Sequence, residues 1–362
     1  MRPNQDHYYL VDCLKVFAAQ IIIVHHCLSY GELASAAKEL LPSFSVFVFD
    51  YGRYAVQLFL VMAGYLAAQS FESMMATQNQ SSKNGVATVV QLALRRYLRL
   101  VGPYSVAILI TIACAALARQ WSVAEYIGPP ETLKQILAHL LLMQGLLGYE
   151  SISAGAWYVA IDWQLYTVLS IVCVAFPQRK IRIGIITVLC LASLLYFNRH
   201  ADYENTFIYF IGSYGLGILA YWASGLSAVK SLAHQAMVKK ILIAIAVTVI
   251  LSAMHSVWLR NYLALGVAFL LLYAGKRPYP QPQTWLASAV QWAGARAYCA
   301  FLIHFAFILL ANTALIALSI QNTAVAVAVI GIVSVLSWLA ANYLYRWVEL
   351  PVGRWRPATL FS

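Results

Sequence analysis

Charged residues are scarce in this sequence of 362 residues. They make up 10% of the chain, whereas a soluble domain carries roughly 25%. Hydrophobic residues make up 62%, and the mean hydropathy is +0.72. These values exclude a soluble protein and predict an all-α polytopic membrane bundle. Spans and short connections use up the length, so we expect a single integral membrane domain over residues 1–362, with no appended soluble domain.

Several other common features are missing. The six cysteines lie in apolar segments and show no paired spacing, which excludes a disulfide framework and a cysteine metal site. No HExxH spacing is present and adjacent histidines diverge on a helix, so we expect no metal. The first apolar segment contains charges and lacks a small-residue cleavage site, so we expect no removable signal peptide.

Acidic residues are outnumbered by basic ones. The chain has 13 Asp and Glu against 24 Lys and Arg, and a formal net charge of +11. In a soluble protein this excess would suggest nucleic acid. In a membrane protein it indicates cytoplasmic loops rich in Lys and Arg. We therefore expect membrane lipid, and no nucleic acid, as a partner.

Ten apolar stretches predict membrane spans. They lie at 10–30, 54–71, 101–119, 156–176, 183–197, 206–222, 239–255, 257–274, 297–318 and 323–345. If the further apolar stretch 133–149 also crossed, the basic cluster at 178–182 would move outside. The positive-inside rule therefore favours about ten transmembrane helices, both termini cytoplasmic, and a re-entrant or interfacial segment at 133–149.

The first span contains ionisable side chains, which are costly in lipid and usually face a protein interior or a wet cavity. At about 100° per residue, Lys15 and His26 lie roughly 20° apart and Asp12 and His26 roughly 40° apart. His25 points elsewhere. Imidazole suits proton transfer near neutral pH, so His26 is a candidate general base. The alternative for a lone histidine is a hydrogen bond that packs the helix; the shared face with Asp12 and Lys15 favours function.

Three arginines cluster before the third span, on a predicted separate amphipathic helix at 86–100. Arg95 and Arg99 are four residues apart, and Arg96 and Arg99 three, so they share one side of a turn. Guanidinium offers forked donors and a permanent charge, which suit phosphate groups. The alternative is an anchor to anionic lipid headgroups.

The segment Trp157–Tyr166 opens the fourth span. Tyr158, Asp162 and Tyr166 recur every four residues, which puts a carboxylate between two phenols on one face. Aromatic residues alone are typical of an interfacial belt. Asp162 lies inside the span and therefore indicates function. A late span carries a further histidine, His304.

Taken in order, these segments resemble the acyltransferase-3 family of integral membrane acyltransferases over nearly the whole chain. Asp12 to His26 is similar to the family's opening D-x-L-R-x-x-A pattern and the histidine that follows it. The later segments resemble FFxxSG at Phe59–Tyr65, R-x-x-R at Arg95–Arg99, W-x-L-x-x-E-x-Q-x-Y at Trp157–Tyr166, SYxxYLxH at Tyr298–His304 and W-x-x-E-x-P at Trp347–Pro351, where this chain has one residue fewer between Trp and Glu. The sequence departs from the family at Lys15 (Arg in the pattern), Ala63 (Ser) and Asp162 (Glu).

The resemblance implies an O-acyltransferase of the bacterial inner membrane. Its donor would be cytoplasmic acetyl-CoA or another acyl-CoA, and its acceptor a hydroxyl of an envelope carbohydrate or lipid-linked glycan. We expect catalytic roles for His26, Asp162 and Asp12, with Asp162 either orienting His26 or binding the sugar. We expect donor binding by Arg95, Arg96, Arg99 and Lys15. We expect substrate binding by Trp157, Tyr158, Tyr166 and His304.

Helix geometry is compatible with this expectation. At 1.5 Å per residue, His26 lies about 21 Å along the first helix from Asp12, toward the outer leaflet. Arginines would hold the donor's phosphates at the inner face, while its long acyl-bearing arm reaches toward His26.

The alternative is a secondary transporter or flippase of a polar or lipid-linked solute, because intramembrane His, Asp and Arg also mark proton relays. Inverted repeats and spans broken by Gly or Pro would favour it, and the sequence shows neither. The acceptor, the acyl chain and the oligomeric state stay open at this point.

Overall fold

The predicted helices are present in the computed structural model, which describes residues 8–77, 85–224, 232–252, 258–275 and 284–354. No strand occurs in these ranges, so the all-α prediction is confirmed. The predicted cytoplasmic termini lie largely outside them. The α-helices are α1 (Tyr9–Cys27), α2 (Gly31–Leu40), α3 (Pro42–Tyr51), α4 (Val56–Thr77), α5 (Gly85–Ala118), α6 (Leu133–Leu140), α7 (Ala156–Ala175), α8 (Arg179–Leu195), α9 (Phe207–Ala223), α10 (Leu232–Ser252), α11 (Leu259–Ala274), α12 (Trp285–Gly294), α13 (Ala297–Ala317), α14 (Thr323–Leu344) and α15 (Leu350–Arg354).

Each of the ten predicted spans falls on one of these helices. In the described residues, eight helical segments are long and apolar enough to cross a membrane. The other two predicted spans correspond to the shorter apolar helices α9 and α11, of 17 and 16 residues. At 1.5 Å per residue these reach about 25 Å, so they need a thinned bilayer or flanking residues to complete a crossing. The chain is a polytopic helical membrane protein.

The apolar stretch 133–149 does not form a continuous helix. Its helix α6 has eight residues, about 12 Å, which is too short to cross a bilayer. Leu142 follows it in the left-handed region, with φ 56°, and its side chain is buried. His139 then ties α6 to the following loop, since its Nε2 accepts a hydrogen bond from the Ile152 N–H at 3.0 Å. Burial lowers the pKa of His139, which keeps it neutral for that role.

The structure corrects one predicted boundary. Residues 86–100 were expected to form a helix separate from the span at 101–119, but α5 runs unbroken for 34 residues through Pro103. At about 51 Å it is longer than the hydrocarbon core of roughly 30 Å. A membrane helix tolerates an internal proline when neighbouring groups satisfy the freed backbone. The arginine cluster therefore lies on the same helix as the span that follows it.

The chain forms two compact units, each assembled from three separate stretches. The first unit comprises Met1–Lys15, Val56–Arg96 and Ile161–Gln291, and α9 is central to it, packing against α4, α8, α10 and α11. A Cβ atom on Gly64 of α4 would meet the carbonyl of Tyr214 on α9, and one on Gly217 of α9 would meet the carbonyl of Val61 on α4. Glycine thus brings the two backbones together, as small residues do between membrane helices.

The second unit comprises Val16–Ala55, Tyr97–Ala160 and Trp292–Ser362. Its helix α13 packs against α14 and α2. The buried amide of Asn312 on α13 accepts a hydrogen bond from the Leu33 N–H at 3.0 Å and donates one to the Tyr30 carbonyl at 3.3 Å. Gly31, at φ 67°, lies directly against Asn312 and leaves no space for a side chain. The start of α2 is therefore capped by another helix.

We expect Gly217→Ala to destabilise the protein by about 1–3 kcal/mol, because the added methyl group must displace the α4 backbone at Val61. Thermal unfolding of the purified protein in detergent measures this. Gly266→Ala in α11 is the matched control, since a Cβ there has nothing within 4 Å. It should be neutral or slightly stabilising. Equal unfolding midpoints for the two variants would contradict the close α4–α9 contact.

Candidate active site

Two histidines from distant parts of the chain meet in the second unit. His26 lies in the last turn of α1, and His304 lies two turns into α13, where it is fully buried. His26 Nδ1 and His304 Nε2 are 2.8 Å apart. The rings are nearly parallel, with an interplanar angle of 6° and centroids 5.1 Å apart. This distance is that of a hydrogen bond, so one ring donates to the other.

The carbonyl of Phe301 decides which ring donates. His304 Nδ1 lies 2.7 Å from that oxygen. A carbonyl only accepts, so Nδ1 of His304 carries the hydrogen, and in a neutral ring Nε2 is then an acceptor. His26 must therefore donate from Nδ1 to His304. This leaves Nε2 of neutral His26 with its lone pair, which is the state that a general base requires.

The neighbouring His25 has a different environment. Its Nδ1 donates to the Val48 carbonyl at 3.0 Å. A Cβ atom on Gly52 would lie only 2.8 Å from the Cβ of His25, so the chain passes directly against this side chain. His25 therefore fastens the segment after α3 to the end of α1. The helical phase of the sequence separated His25 from His26, and the two do face different partners.

Aromatic side chains surround the histidine pair within the second unit. The ring of Tyr30 lies 5.9 Å from that of His26 and 5.9 Å from that of Tyr126. Burial raises the pKa of both phenols, and Glu32 adds to the shift at Tyr126. Both are thus neutral hydroxyls near pH 7 and able to donate hydrogen bonds. No sequence pattern singled out these two tyrosines: Tyr30 is the last residue of the first predicted span, and Tyr126 lies in a connection.

Trp157 and Tyr158, predicted to bind substrate, also belong to this unit. The Tyr158 ring makes an edge contact with Phe301, at 5.4 Å between centroids, and Trp157 lies at 6.2 Å from Tyr158. Phe301 is the residue whose carbonyl holds His304. Tyr158 thus packs against the residue that fixes the histidine tautomers, and the contact of Trp157 and Tyr158 with a substrate stays a prediction.

An ion pair lies in the first unit. Arg96 donates from Nε at 2.9 Å and from Nη2 at 2.6 Å to the same carboxylate oxygen of Asp162. The Asp162 side chain is 3% exposed and that of Arg96 21%. The guanidinium carbon also lies 5.2 Å from the centre of the Tyr166 ring, in a cation–π arrangement. The structure therefore brings together residues that were predicted for three different roles, namely donor binding, catalysis and substrate binding.

The other residues predicted to bind the donor lie on α5 and α1. Arg95 and Arg99 are exposed on α5, unlike Arg96. Lys15 donates to the buried carboxylate of Asp12 at 3.1 Å, one turn away on α1. No group of three or more His, Cys, Asp or Glu that could hold a metal occurs in the described part of the chain. The roles in donor binding assigned to Lys15, Arg95 and Arg99 stay predictions.

Comparison with known proteins gives one match. A family model described as an acyltransferase domain, Acyl_transf_3, matches residues 8–342. This range includes every candidate residue described above. No significant match was found among curated proteins or among solved structures.

We expect Asp162→Asn to lower the stability of the protein by about 3 kcal/mol, because it leaves the Arg96 guanidinium without its buried counter-charge. The double variant Arg96→Met/Asp162→Leu should recover most of that loss, since an apolar pair of similar volume needs no counter-charge. Unfolding midpoints in detergent measure both.

Asp202→Asn serves as the control for this pair, because it alters an exposed carboxylate. Wild-type stability of Asp162→Asn would contradict a structural ion pair. So would a double variant that is no more stable than the single one.

Proposed function

Because the chain belongs to the acyltransferase-3 family, we propose that it transfers an acyl group, in the first instance acetyl, from cytoplasmic acyl-CoA to a hydroxyl of an envelope carbohydrate. The family and the apolar helices make it an integral membrane acyltransferase. The donor, the carbohydrate acceptor and a bacterial inner membrane location are parts of the proposal. The excess of Lys and Arg in the predicted cytoplasmic segments supports that location.

The observation that carries the proposal is the hydrogen-bonded pair His26–His304. With Nδ1 of His26 engaged as a donor, Nε2 is the atom that accepts the hydroxyl proton of the acceptor. The hydroxyl oxygen forms a C–O bond with the acyl carbon, and the C–S bond of the thioester breaks. His26 returns its proton to the departing thiolate, so coenzyme A leaves as the thiol and His26 is neutral again.

His304 acts through His26 as a positioning residue. It fixes the tautomer of His26 and the plane of its ring, and it stabilises the imidazolium that forms during the reaction by accepting its Nδ1 hydrogen bond. An orienting partner of this kind accompanies the base in many acyl-transfer sites. The role proposed here for His304 is thus more specific than the substrate binding expected from sequence.

The arginine cluster supports a donor with phosphate groups. Arg95 and Arg99 are exposed residues on α5, and the forked donors of guanidinium suit a pyrophosphate. Arg96 is committed to Asp162, and we assign it the role of holding α5 and α7 in place. The charge of Asp162 is thus already matched by Arg96, and we do not assign it to the orientation of His26.

We expect His26→Ala to reduce acyl transfer by about 10²- to 10⁴-fold, the usual contribution of a general base. His304→Ala should also lose most activity, while His304→Gln should recover part of it, since the glutamine oxygen can accept from His26 Nδ1. Transfer of label from acetyl-CoA to the carbohydrate fraction of membranes measures each rate.

His200→Ala is the matched control, because His200 is exposed and its described side-chain contacts are to Tyr196 of its own turn, a hydrogen bond to the carbonyl and a ring contact at 4.4 Å. It should leave the rate unchanged. Near-normal transfer by a folded His26→Ala protein would refute the proposal. Equal losses in His304→Ala and His304→Gln would refute the positioning role of His304.

A further inference from the structure

We propose that a cavity beside the histidine pair binds one neutral sugar ring of the acceptor. The cavity has a volume of about 280 Å³ and lies within the second unit. It is lined by His25, Ser29, Tyr30, Phe49, Asp50 and Arg53. The inference rests on the proposed function, which it extends from the base to the site of the acceptor. Neither the sequence patterns nor the family match singled out Phe49, Asp50 or Arg53.

The position of the cavity fits an acceptor site. Two of its lining residues touch the proposed base, because the His25 and Tyr30 rings lie 5.1 Å and 5.9 Å from that of His26. A ring bound in the cavity is therefore one side chain away from the base, so the next ring of the acceptor is the one that presents its hydroxyl to Nε2 of His26. The connection from α1 to α4 forms most of this wall, so it lies on the side of the membrane where α1 ends. That is the side opposite the predicted entry of the donor.

The lining has the chemistry that a pyranose requires. Asp50 supplies a carboxylate and Arg53 a set of forked donors, and both form stronger hydrogen bonds to hydroxyls than neutral groups do. The hydroxyl of Tyr30 adds a neutral donor and acceptor. Phe49 is 53% exposed and offers a ring against which the C–H face of a sugar can pack.

The net charge of the lining and the volume of the cavity limit which sugars can bind there. One carboxylate and one guanidinium among the six lining residues give no net charge when His25 is neutral. The lining therefore favours a neutral hexose or deoxyhexose over a uronic acid or a sugar phosphate. A volume of about 280 Å³ lies just below the usual range of pockets for drug-sized ligands, 300 Å³ and above. It accommodates one ring, with the rest of a glycan outside.

The wall of the cavity is held in place by contacts described above. The His25–Val48 hydrogen bond and the close passage of Gly52 fix the junction where α3 gives way to the 3₁₀ turn Gly52–Ala55. Asp50 and Arg53 lie on the two sides of this junction. Arg53 is steadied by a cation–π contact with Tyr54, at 5.3 Å. The two charged groups are thus carried by backbone that is anchored to the helix of the base.

Binding and transfer measured separately test the inference. Purified protein in nanodiscs is titrated with methyl glycosides of glucose, galactose, mannose and rhamnose, and with methyl glucuronide as the anionic comparison, using saturation-transfer NMR. We expect millimolar binding of at least one neutral glycoside by the wild type. Asp50→Asn and Arg53→Gln should each weaken it about tenfold, the effect of losing a charge-assisted hydrogen bond. Phe49→Leu should weaken it to a smaller extent.

Asp202→Asn is the matched control for Asp50→Asn, since both carboxylates are exposed and only Asp50 lines the cavity. Three results would overturn the inference: no neutral glycoside binds the wild type, the glucuronide binds best, or the cavity variants bind as the wild type does.

Transfer of label from acetyl-CoA to disaccharides that contain the sugar that binds keeps the two proposals apart. If the wild type binds a glycoside but acylates no such disaccharide, the proposed function fails and the sugar site stands. If it acylates a disaccharide with the same KM in Asp50→Asn, Arg53→Gln and wild type, the proposed function stands and the sugar site fails. The expected result is a raised KM for the disaccharide and an unchanged KM for acetyl-CoA.

Discussion

A backbone carbonyl that accepts two kinds of partner sets the chemistry of the second unit. The oxygen of Phe301 lies within α13 and also takes the Nδ1 hydrogen of His304. Since a carbonyl has two lone pairs, it can serve a side chain without leaving the helix. This single contact fixes the tautomers of both imidazoles and leaves Nε2 of His26 as the acceptor. The packing of α13 against α14 and α2 holds Phe301 and His304 in the positions that this hydrogen bond requires.

The first unit contains a charged pair inside an apolar helical bundle. Close backbone contact between α4 and α9, made possible by Gly64 and Gly217, builds a dense helical packing. The Arg96–Asp162 pair satisfies its own charges within the same unit. Removal of one partner alone leaves the other uncompensated, so the two residues can be replaced only together. Each unit therefore contains both partners of its own polar contact, Arg96–Asp162 in the first and His26–His304 in the second.

The sequence predicts correctly those features that depend on neighbouring residues in the chain. Hydropathy over about 20 residues placed each of the ten predicted spans on a helix of the structure, and helical phase within α1 separated His26 from His25, which have different partners. Prediction failed where the property depends on residues far apart in the chain. Nothing at Asp162 indicates that its partner is Arg96, 66 residues earlier, and nothing at His304 indicates a contact 278 residues away. The predicted end of a helix before Pro103 was also wrong, because α5 continues through this proline. The sequence shows the proline but not the neighbouring groups that accommodate it in the folded bundle.

The hydrogen-bond chain from His26 has one further consequence, which concerns the energy of the cell. Protons move along chains of groups that can both gain and lose them. This chain runs from His26 to His304 and ends on the Phe301 carbonyl, which has no proton to pass on. A proton taken up at Nε2 of His26 therefore has no onward route through these three residues and must leave from Nε2 again. Titratable groups inside a membrane can in this way take part in acyl transfer without forming a proton channel of their own.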